Sequence, residues 1–226
     1  MKYNIENIAF AMMRLHPIHN GHFNLITKML KENDLVIIGV GSAQVSGTFD
    51  NPFTVAQRLE MFKILFGQNI IGKHSKLKIV AIEDIGAVIP MDWTTHCFNK
   101  IESQGLPLPT RYYAGSDMDA IWFKSHEKLT PEKEIYYQSQ VFGKENSEQY
   151  KEVKEYSEVE LEIIVLDRKI VSINSSGTEI RKSIANGFNE WKEDVPECLH
   201  RFIIESFPKK FMLNDIIKTK NLFKNK

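Results

Sequence analysis

The chain contains several short apolar runs that lack helical periodicity. The clearest is Leu35–Val40, which contains no polar side chain. An uninterrupted run of this length is typical of a strand buried on both faces of a parallel sheet. The predicted strands are 7–13, 35–40, 77–82, 111–114 and 161–166.

Segments with apolar residues at helical spacing lie between these strands. In the first of them, Phe23, Ile26 and Met29 fall on one helical face. Thr54 suits the N-cap of the second, and Gly187 suits the end of the fourth. The predicted helices are 21–32, 55–66, 91–103, 176–186 and 195–207. This alternation predicts an α/β fold in which a doubly wound parallel sheet has helices on both faces and further helices follow at the C-terminal end.

The turn after the first predicted strand carries two histidines around a glycine. Residues 14–22 read Arg-Leu-His-Pro-Ile-His-Asn-Gly-His, and the proline favours a loop. Ligands of open α/β sheets bind at the carboxyl ends of strands, where helix N-termini attract anions. His19 and His22 can share one side of the first helical turn, and Gly21 allows a close backbone approach. The segment therefore predicts a phosphate-binding site.

A second anion-binding segment is predicted near the C-terminal end. Residues 176–181 read Ser-Gly-Thr-Glu-Ile-Arg, in which Ser176 or Thr178 can cap the helix that follows. The free N–H groups of that helix can hold a phosphate, and Arg181 lies one turn further on with a bidentate guanidinium. Ser176 and Glu179 also fit a plain capping box, and the two interpretations are compatible.

These motifs resemble those of a known family. The sequence His-Asn-Gly-His at 19–22 is similar to the His-x-Gly-His signature of the nucleotidylyltransferase superfamily. Gly-Ser-Ala-Gln at 41–44, then Asn-Pro-Phe-Thr at 51–54 and Arg58, look like a block of the archaeal-type nicotinamide-nucleotide adenylyltransferases. Residues 176–181 and 189–197 resemble later segments of that family. The similarity runs from about Arg14 to Glu205, and residues 105–165 are not matched.

The resemblance implies a Rossmann-like nucleotidylyltransferase fold and an enzyme that transfers AMP from ATP to nicotinamide mononucleotide. The products would be NAD and pyrophosphate, with Mg²⁺ accompanying ATP. The residues implied to be catalytic are His19, His22 and Arg181. The residues implied to bind the nucleotide are Arg14, Gly21, Gly41, Ser42, Arg58, Ser176 and Thr178.

Trp93 is the candidate for binding the acceptor, because a planar pyridine ring stacks well on an indole face. A plain core aromatic is the alternative for this residue. Asp92 and Asp84 are polar candidates for the carboxamide or the ribose, and Trp122 is a weaker alternative to Trp93.

The chain departs from the family pattern at three places. His16 stands where a Gln is usual, and Pro90 stands where an Asn commonly precedes the tryptophan. The Gly-Ser-Asp sequence at 115–117 could contact a nucleotide or cap a helix. Alternatives therefore stay open: nicotinic acid mononucleotide or phosphopantetheine as the acceptor, or a non-catalytic nucleotide-binding regulator.

Composition excludes several other classes of protein. The chain has 226 residues, 29 basic and 29 acidic side chains, and 42% hydrophobic residues. This is a globular composition without the general basic field that nucleic-acid binding requires. No apolar run is long enough for a membrane span, and the first ten residues do not resemble a secretion signal. We therefore expect a cytoplasmic protein with neither a membrane nor a nucleic-acid partner.

The two cysteines, Cys97 and Cys198, are expected to be partly buried free thiols, and no cluster of metal ligands is found in the sequence. We expect one domain over residues 1–207. Residues 144–162 carry seven Glu and three Lys, and form either a charged insertion or a flap. The tail 208–226 carries six Lys and one Asp, and is expected to be solvated. Folds of this kind often self-associate, so a homo-oligomer is a further expectation.

Overall fold

Five parallel strands form one sheet in the described part of the chain. The computed structural model describes residues 6–67, 75–86, 90–127, 159–166 and 176–213. The strand order is β3-β2-β1-β4-β5, and every pair is parallel. The strands are β1 (Ile8–Met13), β2 (Leu35–Val40), β3 (Leu77–Ala81), β4 (Arg111–Ala114) and β5 (Glu162–Val165).

The central strands are the most apolar ones. Every residue of β2 is buried, and its register pairs Leu35 with Ile8 and Val40 with Met13. Gly39 of β2 is closely surrounded, since a Cβ at this position would overlap Met12 Sδ and lie 3.0 Å from Ile82 and Phe10, and these side chains would have to shift. The continuous apolar run in the sequence therefore reflects burial on both faces of the sheet.

Helices cover both faces. They are α1 (Asn20–Glu32), α2 (Val55–Phe66), α3 (Pro90–Ser103), α4 (Asp117–Ala120), α5 (Gly177–Asn186), α6 (Trp191–Asp194) and α7 (His200–Ser206). Short 3₁₀ turns occupy Ile121–His126, Glu197–Leu199 and Lys209–Phe211. One apolar layer combines β1 and β2 with α1, α2, α5, α6 and α7, and the other packs α3 and the first 3₁₀ turn on the opposite face.

The α/β class and the parallel sheet are confirmed, and most predicted elements agree with the structure to within a residue or two. The final helix is wrong at its start: a 3₁₀ turn precedes α7, which begins only at His200. Val195 is extended, with φ −122° and ψ 136°, because Pro196 follows it and disfavours helical backbone there. The short helices α4 and α6 and the 3₁₀ turns were not predicted.

Two peripheral predictions have different outcomes. Residues 144–158 of the predicted charged segment lie outside the described residues, whereas Glu162 already belongs to β5. In the tail, Phe211 packs against Phe207 at 6.4 Å and against Phe49 at 5.8 Å between ring centroids. Core packing therefore continues beyond residue 207 and includes the beginning of the tail.

Both cysteines are free, but only one of them is buried. Cys97 lies in the core, and burial raises the pKa of its thiol to about 12. Cys198 is exposed, which corrects the expectation of partial burial. None of the described helices is long and apolar enough to cross a membrane.

The strand order places a crevice beside β1. The chain passes from β1 outward to β2 and β3, and then returns to the other side of β1 to form β4. The connections after β1 and β4 therefore leave the sheet in opposite directions. In open α/β sheets, ligands bind at this switch point, outside the carboxyl ends of the strands.

Candidate active site

A cavity of about 420 Å³ opens at the carboxyl ends of β1, β2 and β4. All but two of the predicted site residues line it. Those that do are Arg14, His19, Gly21, His22, Gly41, Ser42, Trp93, Ser176, Thr178 and Arg181. The loop after β1 and the N-terminus of α5 thus meet in one site, although they are far apart in sequence.

The two predicted histidines are in ring-to-ring contact at the N-terminus of α1, with their planes tilted by 30°. Their ring centroids are 3.7 Å apart, and the His19 backbone N–H donates to His22 Nδ1 at 3.3 Å. Because Nδ1 accepts this bond, the proton of a neutral His22 ring sits on Nε2. Burial, and then the neighbouring His19 and His16, lower the pKa of His22 well below its usual value of 6.5. His22 is therefore a neutral donor at physiological pH.

His16 forms part of the cavity wall and is almost completely buried. Its ring stacks on Phe53 with centroids 6.2 Å apart, and neither ring nitrogen has a hydrogen-bond partner among the described residues. Burial, and then Arg58 and other nearby arginines, lower the pKa of His16 to about 3. The ring is consequently uncharged over the physiological pH range.

Arg181 is buried beside His16. Its Nη1 donates to the His16 carbonyl at 3.1 Å, and its Nη2 donates to Thr178 Oγ1 at 3.1 Å and to Asp50 Oδ1 at 3.1 Å. Burial lowers its pKa, and the hydrogen bond with Asp50 opposes that shift. Arg181 is thus a fixed cation in the wall of the cavity, and its ion-pair partner among the described residues is a carboxylate that lines the same cavity.

The N-terminus of α5 lies next to this cation. Ser176 caps the helix by accepting from the Glu179 N–H at 3.3 Å, which confirms the N-cap, while the Glu179 carboxylate accepts from Lys182 Nζ at 2.9 Å instead of completing a capping box. Gly177 approaches closely, since a Cβ there would lie 3.4 Å from Arg181 Nη1 and 3.5 Å from the His16 carbonyl oxygen. The first N–H groups of α5 and the Arg181 guanidinium can therefore act on the same anion.

Arg58 was predicted to bind the nucleotide, but it does not line the cavity and bonds to backbone carbonyls of the loops that do. The side chain is fully buried, and Nη1 donates to the carbonyls of Arg14 at 2.9 Å and Gly41 at 2.6 Å. Nη2 donates to the Ser42 carbonyl at 3.3 Å. Arg58 thus joins the loop after β1 to the loop after β2.

Both of these loops contain unusual backbone. Leu15 has φ 61° and Ser42 has φ 48°, which are left-handed values that few residues other than glycine adopt. Both residues line the cavity. Such conformations persist only where the surroundings enforce them, and the hydrogen bonds of Arg58 on either side provide that constraint.

Trp93 lines the cavity and also packs against the apolar layer beside α3, so its position is compatible with either alternative for this residue. Asp92 is exposed at the start of α3 and does not line the cavity. Asp84 does line it, and Gln44 of the Gly-Ser-Ala-Gln block accepts from the Asp84 N–H at 3.0 Å. Asp84 is therefore a better candidate than Asp92 for a polar contact with the acceptor.

Sequence reasoning missed two carboxylates in the cavity wall, Asp50 and Asp119. Asp50 follows the Gly-Ser-Ala-Gln block, and an acidic residue within a phosphate-binding loop is the signal that could have found it. Asp119 accepts from Ser116 Oγ at 2.7 Å, and its own N–H donates back to Ser116 Oγ at 3.2 Å. Ser116 thus caps α4, which settles the helix-cap alternative for this segment, while Gly115 also lines the cavity.

Comparison with known proteins places this geometry in a family. The cytidylyltransferase-like family matches residues 15–183. A nicotinamide-nucleotide adenylyltransferase of Picrophilus torridus is 31% identical over 197 residues, which cover 87% of this chain and 90% of the relative. One of the same name from Methanococcus aeolicus is 30% identical over 202 residues, which cover 87% of this chain and 88% of the relative.

A solved structure shares the fold. It is a bifunctional NMN adenylyltransferase/ADP ribose pyrophosphatase of Francisella tularensis, complexed with AMP and a manganese ion. The TM-score is 0.57 at 18% identity, over 97% of this chain and 56% of that one. The match over most of the chain, and the motifs that meet in one cavity, show that this chain belongs to the cytidylyltransferase-like family, among relatives that are nicotinamide-nucleotide adenylyltransferases.

Proposed function

We propose that the protein transfers AMP from ATP to nicotinamide mononucleotide and so makes NAD. A 5′-phosphate oxygen of the acceptor attacks the α-phosphorus of ATP. The bond between the α-phosphorus and the oxygen that bridges it to the β-phosphorus breaks, and pyrophosphate leaves with that oxygen. The nucleophile is already an anion at neutral pH, so the reaction hardly needs a general base. Catalysis then rests on alignment of the reactants and on stabilisation of the charge that develops on the phosphates.

His22 and His19 are proposed to stabilise that charge. A neutral His22 with its proton on Nε2 donates a hydrogen bond without bringing a charge that would have to be desolvated. Because the ring is held by the His19 backbone, it needs no reorganisation during the reaction. The position of His19 and His22 at the N-terminus of α1 supports the proposal that the α- and β-phosphates bind there.

Arg181 and the N-terminus of α5 are proposed to hold the outer phosphates, with Arg14 beside them. Arg14 is exposed and lines the cavity. Ser42 and Gly41 contribute the wall that faces these groups. When Arg181 and the N-terminus of α5 hold the outer phosphates, they fix the direction in which pyrophosphate departs.

Mg²⁺ is proposed to enter on the triphosphate, where it neutralises charge. No group of three or more His, Cys, Asp or Glu able to hold a metal is found among the described residues. Protein sites commonly bind Mg²⁺ through one or two carboxylates together with substrate phosphates, and the carboxylates that line this cavity suit that mode of binding. Within the described part of the chain, three carboxylates line the cavity wall. Asp50 is paired with Arg181, and Asp84 and Asp119 are the two proposed to complete the coordination of the ion.

The acceptor is proposed to stack its pyridine ring on Trp93. The Asp84 carboxylate in the same cavity favours the amide over the acid form, since a second carboxylate would be repelled. Nicotinic acid mononucleotide is therefore the second candidate acceptor.

The observation that carries the proposal is that the histidine pair and Arg181 line one cavity at the switch point. The test is a product assay with Mg²⁺, ATP and either pyridine mononucleotide, in which dinucleotide and pyrophosphate are followed together. We expect both products in equal amounts, and faster formation with the amide. Binding of ATP without product from either acceptor would indicate another acceptor or a regulator, and would overturn the proposal.

The role of His22 is tested by His22→Ala. Loss of a donor to the transition state should lower turnover by a factor on the order of 10² or more. Thermal unfolding of the variant serves as the control for folding. Near-normal turnover in a folded variant would remove His22 from the mechanism.

A further inference from the structure

The ion pair between Arg181 and Asp50 joins two groups with very different exposure. The Arg181 side chain is 6% exposed, whereas the Asp50 side chain is 71% exposed. Asp50 is the carboxylate that pairs with Arg181 among the described residues, at 3.1 Å. A buried guanidinium thus depends for its charge balance on an anion that water can readily solvate.

The Asp50 carboxylate accepts a hydrogen bond from an Arg181 N–H group that could otherwise donate to a phosphate. Arg181 Nη2 serves Asp50 and Thr178, and Nη1 serves the His16 carbonyl. Arg181 Nε is buried and has no partner within the described residues. Asp50 lines the cavity and shares Arg181 Nη2 with Thr178, while Gly177 lies against Arg181 Nη1. The Asp50 carboxylate is therefore close to the place where an anion bound to α5 would lie.

The turn that carries Asp50 is well ordered by its own contacts. The Asn51 N–H donates to Thr48 Oγ1 at 3.0 Å, and the Thr48 N–H donates to the Asn51 carbonyl at 3.3 Å. The neighbouring Phe49 ring lies 5.9 Å from the Arg181 guanidinium carbon. The same turn therefore supplies both an aromatic face and an anion to Arg181, so the ion pair is a positioned contact.

We propose that Asp50 is an internal anion that holds Arg181 in the ligand-free cavity and is displaced by the polyphosphate chain of the nucleotide. The inference rests on the proposed function, because it takes Arg181 as the site of the outer phosphates. A carboxylate and a phosphate compete for the same N–H groups and repel each other. Asp50 therefore weakens the binding of every polyphosphate, and a ligand with several charges overcomes it more readily than one with a single charge.

Asp50→Asn tests this in the absence of metal. Titration calorimetry with pyrophosphate in EDTA should show binding on the order of tenfold tighter than in the wild type, with the gain shrinking as salt is added. Asp50→Glu keeps the charge and should retain wild-type affinity within about twofold on the same grounds. Asp117→Asn is the matched control, since Asp117 does not line the cavity.

Weaker pyrophosphate binding by Asp50→Asn than by the wild type would overturn the inference. If Asp50 bound the metal instead, Asp50→Asn would weaken binding of magnesium pyrophosphate and would bring no gain in EDTA. Equal affinities, or no pyrophosphate binding by the wild type, would also overturn it. If Asp50→Asn did not fold, then Asp50→Ser, judged by the same titration after a thermal-unfolding check, would decide, and failure of both to fold would mean that Asp50 is structural.

Failure of the inference can be distinguished from failure of the proposed function. Wild-type protein that makes dinucleotide, with no gain for Asp50→Asn, contradicts only the role of Asp50. Wild-type protein that binds pyrophosphate and shows the gain, yet makes no dinucleotide, supports the internal anion and contradicts the adenylyltransferase.

Discussion

Two arginines from the sequence motifs end up in different surroundings. Arg181 lines the cavity, whereas Arg58 is enclosed and bonded to three backbone carbonyls. A local motif predicts that a guanidinium lies near a phosphate-binding loop. It does not predict whether the guanidinium faces the ligand or the loop's own carbonyls, because that depends on how the loops after β1 and β2 approach each other. For the same reason Asp50, whose partner is distant in sequence, was missed.

At the residue scale, the buried neutral ring of His16 should make stability depend on pH. In the unfolded chain this ring takes up a proton near its usual pKa of 6.5, whereas in the folded protein it does so only near 3. Between these values the unfolded state binds more protons, so the folded state loses stability as the pH falls from 6.5 toward 3. The slope from one such group is at most about 1.4 kcal/mol per pH unit.

We expect His16→Gln to remove that contribution. Denaturant unfolding at pH 7 and pH 5 should show a smaller loss of unfolding free energy in the variant than in the wild type. His22 contributes in the same direction in both proteins, so some pH dependence remains. An identical loss in both would contradict a neutral His16.

At the scale of elements, the sequence predicts regular segments better than their connections. β2 and α2 were predicted residue for residue, because a continuous apolar run and a Thr54 cap are local signals. The break before α7 depends on Pro196, which is also a local signal, but the apolar pattern that continues across it suggested a single helix. The turn that carries Asp50 depends on hydrogen bonds between Thr48 and Asn51. No hydrophobic periodicity along the sequence signals such bonds, so this turn was not predicted.

Arg58 connects two such elements, so its replacement should affect both stability and nucleotide binding. A Lys at this position cannot serve three carbonyls, and Arg58→Lys should lower the unfolding free energy by about 2–4 kcal/mol. The loosened loops should also raise KM for ATP. Arg201→Lys is the control, because the Arg201 side chain is 89% exposed and should change stability little.

At the scale of the whole molecule, the site is assembled from segments at opposite ends of the chain. The loop after β1 and the N-terminus of α5 meet because α1 and α5 pack into the same apolar layer. The order of the motifs made the family recognisable from the sequence alone. The cavity itself follows from the strand order, in which β4 returns to the far side of β1.

The contact between Phe49 and Phe211 has a consequence for how substitutions combine. Phe211 braces the ring that neighbours Asp50, at 5.8 Å between centroids. Phe211→Ala should therefore loosen the Asp50 turn and tighten pyrophosphate binding by about two- to threefold, since part of the competing charge is lost.

The double variant Asp50→Asn, Phe211→Ala should then bind pyrophosphate no more tightly than Asp50→Asn alone. Such epistasis is measured by a double-mutant cycle of pyrophosphate affinities, with the exposed Phe188→Ala as the additive control. Simple additivity between Phe211 and Asp50 would mean that the brace does not reach the ion pair. If the two substitutions are instead non-additive, a genetic selection for suppressors of a weakened phosphate site should yield changes at the start of the C-terminal tail as well as in the cavity.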